Sequence, residues 1–151
     1  MNRIEKIEAL IKAGIKCDTA TGRVYGKRGH EYLSRNKGYI QINTTIDGKL
    51  CRAFAHQLIY YTHYGTIPDI IDHINQDITD NRIENLREST RQQNALNTDA
   101  KGYTELKNKQ GSIRFQAQIK INGKNEYIGC FNTKDEAHAA YLDRKSKILQ
   151  L

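Results

Sequence analysis

The apolar residues of this chain change their period several times, and each change marks an element. Ile4, Ile7, Leu10 and Ile11 recur at helical spacing, so residues 2–13 read as a short amphipathic helix that stops at Gly14. Residues 15–25 follow as two short strands around a Thr21-Gly22 turn. Residues 38–44 alternate and are rich in β-formers. They meet a returning strand, residues 50–53, through Asp47-Gly48, a strong hairpin signal. From Phe54 to Tyr64 the apolar groups return to helical intervals, and Gly65 ends the run. Pro68, the only proline, precedes a short strand at Ile70-Ile71 that delivers Asp72 and His73. Residues 81–86 read as the start of a further helix, with Leu86 and Leu96 buried near its two ends.

The polar stretch Asn97-Thr98-Asp99-Ala100-Lys101-Gly102 is a break between elements. It divides the chain into residues 1–100 and residues 101–151. Beyond it, residues 113–121 alternate strictly, Asn122-Gly123 is a turn of the favoured hairpin type, and residues 124–128 form the returning strand. Thr133 and Glu136 stand at the spacing of a capping box. They open a helix carrying Ala137, Ala140, Tyr141 and Ile148. The expected class is α+β, with the second module a three-stranded antiparallel sheet plus a helix.

Charge separates the two modules further. The 151 residues carry a formal net charge of +7, with 38% hydrophobic and 27% charged positions. Residues 1–100 hold 14 Lys and Arg against 12 Asp and Glu, a net of +2; residues 101–151 hold 10 against 5, a net of +5. A small polar chain with a pI near 9.3 favours an anionic partner, nucleic acid before a membrane surface. No apolar run has the length of a membrane span, and residues 1–3 lead into an amphipathic stretch rather than a signal peptide. Cys17, Cys51 and Cys130 are isolated, with no C-x-x-C, which argues for a reducing cytoplasm and against both a disulfide framework and a structural zinc.

The chemistry concentrates in residues 71–94. Asp72 offers an oxygen ligand for a hard metal, and His73 an imidazole able to take a proton from water. Past a polar turn come Asn85-Leu86-Arg87 and then Asn94, two side-chain amides. These are the parts of metal-assisted phosphodiester cleavage. The segment resembles the HNH endonucleases, specifically the homing branch, written roughly as DHxD, a turn, NNxxxNLR, a helix and a final Asn. That resemblance implies a ββα-metal module in which Asp72 and Asn94 are metal ligands, His73 is the general base and Asn85 fixes the imidazole. Asp77, Asp80 and Asn81 are read as shaping the turn. Because a strand alternates its side chains, Asp72 and His73 require a bent strand end to serve one site. Two oxygen donors with no second His or Cys select Mg²⁺ or Mn²⁺ over Zn²⁺. Upstream, residues 55–58 resemble a His-Arg-Leu-like segment of the family, with Gln57 where Arg is usual. His56 is read as bracing the site, with phosphate contact as the alternative.

Residues 102–148 resemble the AP2-type DNA-binding domain often appended to phage HNH enzymes. The resemblance is carried by Gly102-Tyr103, residues 115–120, Asn122-Gly123-Lys124, residues 127–131 and the run from Thr133 to Tyr141. Alternation turns Phe115, Ala117, Ile119 and Ile121 toward the helix. It leaves Arg114, Gln116, Gln118 and Lys120 facing outward, where Lys124 and Tyr127 are expected to join them as nucleic-acid contacts. The family's strongest contacts are Arg and Trp, and this chain has no Trp.

The combined expectation is an HNH homing endonuclease of phage type. It would cut duplex DNA with Mg²⁺ or Mn²⁺ and no small-molecule cofactor, as a monomer or weak dimer in the cytoplasm of a bacterial or phage-infected cell. The alternative is a non-catalytic, sequence-specific DNA-binding regulator that keeps the fold.

Overall fold

The computed structural model describes residues 1–149. The chain forms two compact units, one over Met1–Thr90 and one from Arg91 onward. The first unit begins with α1 (Arg3–Lys12), whose N-terminus carries a full capping box between Asn2 and Glu5. Ile7 and Leu10 are buried, whereas Ile4 and Ile11 lie 38% and 42% exposed at the edges of the apolar stripe. β1 (Lys16–Asp18) and β2 (Arg23–Tyr25) make a small antiparallel hairpin. A three-stranded sheet follows, ordered β3 (Arg35–Asn36), β4 (Tyr39–Ile46), β5 (Lys49–Phe54). Its hairpin turn uses Asp47 at φ 49° and Gly48 at φ 74°, the two left-handed residues that a type I′ turn requires.

β5 runs directly into α2 (Ala55–Tyr64), which ends at Gly65 in the left-handed region with its N–H on the Tyr61 carbonyl at 2.7 Å. One core joins α1, the sheet and α2 through Ile7, Leu10, Ile42, Leu58 and Ile59, and Leu86 belongs to it. β6 (Ile71–His73) and β7 (Leu86–Glu88) then form a two-stranded ribbon with register Ile71↔Glu88, Asp72↔Arg87 and His73↔Leu86.

The ribbon corrects the expected helix over residues 81–96. Residues 83–85 form a single 3-10 turn, residues 86–88 a strand, and only α3 (Arg91–Leu96) is α-helical. Burial decides this: Leu86 at 4% exposure is claimed by the first core, and pairing with β6 supplies its backbone partners.

α3 belongs to the second unit. Leu96 packs with Ile119, Tyr141 and Leu149, and the Gln92 amide caps the hairpin end by donating to the Lys120 carbonyl (3.2 Å) and accepting from the Asn122 N–H (2.7 Å). The break therefore falls after Thr90 rather than near Lys101, because the polar loop at residues 97–102 joins elements of one core. β8 (Tyr103–Lys107), β9 (Ile113–Ile121) and β10 (Lys124–Phe131) form the antiparallel sheet, with β9 central, and α4 (Lys134–Leu149) covers one face. The Thr133 hydroxyl accepts from the Glu136 N–H at 3.2 Å, the expected cap. Among the described residues no helix is long and apolar enough to cross a membrane.

Candidate active site and nucleic-acid face

Two short strands with a polar loop between them position the chemistry of the first unit. Asp72 and His73 are 5% and 4% exposed at the end of β6. Cross-strand register puts Asp72 opposite Arg87, and both Nε and Nη2 of the guanidinium donate to Asp72 Oδ2, at 3.0 and 2.8 Å. His73, next along the strand, pairs with Leu86 and points to the other face, and the turn begins on it, the Gln76 N–H reaching the His73 carbonyl at 2.9 Å. β6 therefore ends in a turn at His73.

The loop is wired from its own side chains. Asn75 Oδ1 accepts from the Asp77 N–H, Asp77 Oδ1 accepts from the Thr79 N–H and hydroxyl, and Asn75 Nδ2 donates to Asp80 Oδ2. The Arg82 side chain donates twice to Asp80, and this pairing holds the Asp80 carboxyl down at about 2. Asp77 and Asp80 thus shape the turn as expected.

The two asparagines exchange their expected parts. Asn85 does not touch the imidazole: its Oδ1 accepts from the Asn75 N–H, and its Nδ2 donates to Asn75 Oδ1 and to the Asp80 carbonyl. Asn81, 1% exposed, is the asparagine beside the ring, with Oδ1 2.9 Å from His73 Nε2. The 3-10 turn at residues 83–85 aims Asn85 back into the loop and leaves the inward position to Asn81. Spacing alone contained no signal for that exchange.

Around His73 stands a fan of rings. His56 lies edge-on to it at 5.4 Å, Tyr39 is 6.0 Å away, and Phe54 stacks on His56 at 5.6 Å with a 12° interplanar angle. Burial first, and the neighbouring His73 second, push the His56 imidazole down to about 3. A ring held neutral in this fan carries no charge to offer a phosphate near neutral pH. The sign of the linkage follows. The unfolded ring takes a proton near 6.5 and the folded ring only near 3, so this stability is complete above about pH 6.5 and drains away as pH falls toward 3. Urea unfolding at pH 7 and at pH 4 should differ by a few kcal/mol, as an order of magnitude, and His56→Phe should flatten that dependence.

For a divalent cation the donor chemistry is hard oxygen. The described residues contain no group of three or more His, Cys, Asp and Glu able to form an all-protein cage. A single buried carboxylate, oriented by Arg87 through one oxygen, suits Mg²⁺ or Mn²⁺, which keep several waters and use substrate phosphate as ligand. Asn94 lies on α3 and is exposed.

On the second unit, Arg114, Gln116, Gln118 and Lys120 share the sheet face opposite α4, as alternation requires. Tyr127 pairs with Gln118 and joins them at 62% exposure. Lys124 does not. It pairs with Ile121 and takes the parity of the helix side, so Asn125, opposite Lys120, holds the outward place. β8 adds Thr104, opposite Gln116 and 3.3 Å from the Gln118 amide nitrogen, and Leu106, opposite Arg114.

β6 ends in Asp-His, a self-bonded polar loop follows, and the chain returns through Asn85 at the end of the 3-10 turn to Leu86 and Arg87 on β7. Residues 53–96 match the model of the HNH endonuclease family, a stretch that contains His56, Asp72, His73, Asn81, Asn85 and Asn94. No curated protein matches the chain in sequence. A solved structure of DNA binding and cleavage by the HNH homing endonuclease I-HmuI is similar at 18% identity, with a TM-score of 0.44, over 91% of this chain and 78% of that one.

Proposed function

We propose that this protein is a metal-dependent DNA endonuclease of the HNH homing type that hydrolyses a phosphodiester bond at a recognised duplex site. The observation that carries the reading is the buried pair of polar contacts at adjacent residues of β6, Asp72 to Arg87 and His73 to Asn81, inside the segment that matches the HNH family. Burying an ion pair and an imidazole–amide pair side by side costs desolvation that apolar residues would avoid, so the arrangement is better explained by chemistry than by stability.

Asn81 Oδ1 can only accept, so the neutral ring carries its proton on Nε2 and its basic lone pair on Nδ1. His73 is the group that takes the proton of the attacking water. Arg87 fixes the rotamer of Asp72, and the loop bonds of Asn85 hold the ribbon end in shape. Asp72, with Asn94 by the motif's assignment, would hold the cation. When bound, such a cation supplies Lewis-acid stabilisation of the charge that builds on the scissile phosphate and leaving oxygen. One base and one metal set in one chain favour nicking over double-strand cleavage, and a monomer suffices for it.

The test is conversion of supercoiled plasmid to open circle by the full chain with Mg²⁺ or Mn²⁺. A regulator that has only kept the fold would retard duplex DNA and leave it supercoiled under every metal condition.

We assign anchoring to the sheet face of the second unit, supported by its net charge and by the outward Arg114, Gln116, Gln118, Lys120 and Tyr127. If Arg114 and Lys120 touch phosphate, replacing either with Ala should weaken all sequences alike and reduce the log–log salt slope by about 0.9 per lost contact. Replacing Gln116 and Gln118 together should instead erode the preference for target over random duplex, each base contact being worth about 1–3 kcal/mol. Fluorescence binding across a salt series separates the two, and an unchanged slope with unchanged preference would remove this face from the interface.

A further inference from the structure

The glycine of the first hairpin sits against the segment that holds the imidazole. Gly22, in the β1–β2 turn, is buried at φ +72°, and a Cβ there would lie 2.4 Å from the Arg82 nitrogen and 2.5 Å from the Asn81 carbonyl carbon. Both obstacles are backbone, so no side chain can swing aside to relieve them. The same turn makes a directed contact: the Ile83 N–H donates to the Thr19 carbonyl at 2.8 Å. The turn itself is braced, since the Gly22 N–H reaches the Asp18 carbonyl at 2.9 Å and Asp18 Oδ1 accepts from the Ala20 and Thr21 N–H groups. Residues 81–83 are thereby clamped from a turn about sixty positions earlier in the chain.

What the clamp holds is an unusual asparagine. Asn81 is 1% exposed, its Oδ1 lies 2.9 Å from His73 Nε2, and its Nδ2 has no hydrogen-bond partner among the described residues. A buried amide left half-satisfied costs about 1–3 kcal/mol, which makes it a poor space-filler. Its remaining contact is the one to the imidazole. We infer that Asn81 is the positioning residue for His73, and that the Asp18–Gly22 turn is built to hold it there. This deepens the nuclease reading and rests on it. Asn81 acts through the ring: it keeps the proton on Nε2 and stops rotation about the Cβ–Cγ bond, so that Nδ1 carries the basic lone pair.

The experiment uses the full chain. In wild type, nitrogen-edited NMR at alkaline pH should show a slowly exchanging proton on Nε2 of His73. Asn81→Asp keeps an oxygen acceptor and should keep that signal, with a cleavage rate within about tenfold of wild type. Asn81→Leu should lose the signal and lower kcat by roughly 10–100-fold, the range seen when an orienting partner is removed, while KM for duplex stays constant. Gly22→Ala should reproduce the kcat loss. Gly48→Ala should not, because Gly48 has a similar φ of +74° but nothing within 4 Å of a Cβ. A wild-type ring protonated on Nδ1, or an Asn81→Leu protein cleaving at full rate, would overturn the inference, and neither result depends on Gly22→Ala folding. Failure of the nuclease reading looks different: the wild-type protein would leave plasmid supercoiled under every metal condition, whatever the Nε2 proton signal shows.

Discussion

His73→Ala is expected to lower the nicking rate by roughly 10²–10⁴-fold, the loss that accompanies removal of a positioned general base. Affinity for duplex should stay within a few-fold, because the anchoring assigned to Arg114, Gln116, Gln118 and Lys120 is untouched. The expectation follows from where the ring is. His73 is 4% exposed, tied to Asn81 and walled by His56 and Tyr39, so its loss removes a proton acceptor and opens a small void beside the fan. His73→Gln separates the two effects, filling much of that volume without an imidazole. Single-turnover nicking at saturating DNA reads the chemical step, and an alanine variant that still nicks near the wild-type rate would end the assignment of the base.

Chelation should have the second large effect. Nicking should disappear in EDTA and return with Mg²⁺ or Mn²⁺, since Lewis-acid stabilisation worth several kcal/mol corresponds to roughly 10³-fold in rate or more. The thermal midpoint should not follow. Both cores are apolar, and Asp72 is already paired with Arg87, their side chains 6% and 27% exposed. Asp72→Asn keeps an oxygen for the guanidinium and should lose most of the activity while remaining folded. Asp72→Ala adds the cost of stranding Arg87, about 3–5 kcal/mol if the pair were fully buried and less here. Cleavage that persists in strong chelator would mean that Asp72 is no metal ligand.

The contrast between Asn81 and Asn85 shows where reading a sequence stops. Both are asparagines in the same loop, and both are 5% exposed or less. Which one faces the imidazole depends on a 3-10 turn of three residues and on a glycine contact from residue 22. Neither leaves a periodic trace. Lys124 differs, because its place was within reach of the sequence: a two-residue turn at Asn122-Gly123 pairs Lys124 with Ile121 and sends its side chain to the helix side, three positions from the outward Tyr127.

What the residues determined by themselves was local. The hairpin at Asp47-Gly48, the helix ended by Gly65, the alternation from Ile113 to Ile121 and the capping of α4 by Thr133 all rest on interactions within a few positions, and the structure contains each of them. The Asp72-His73 pair stands out in the sequence because its candidate chemistry lies in residue type. Tertiary structure alone decided that Leu86 starts a strand, that Leu96 ties α3 to the second unit, and that Asn81 holds the ring. Each of those outcomes is settled by burial against residues tens of positions away, and a short segment carries no record of the surface that will cover it.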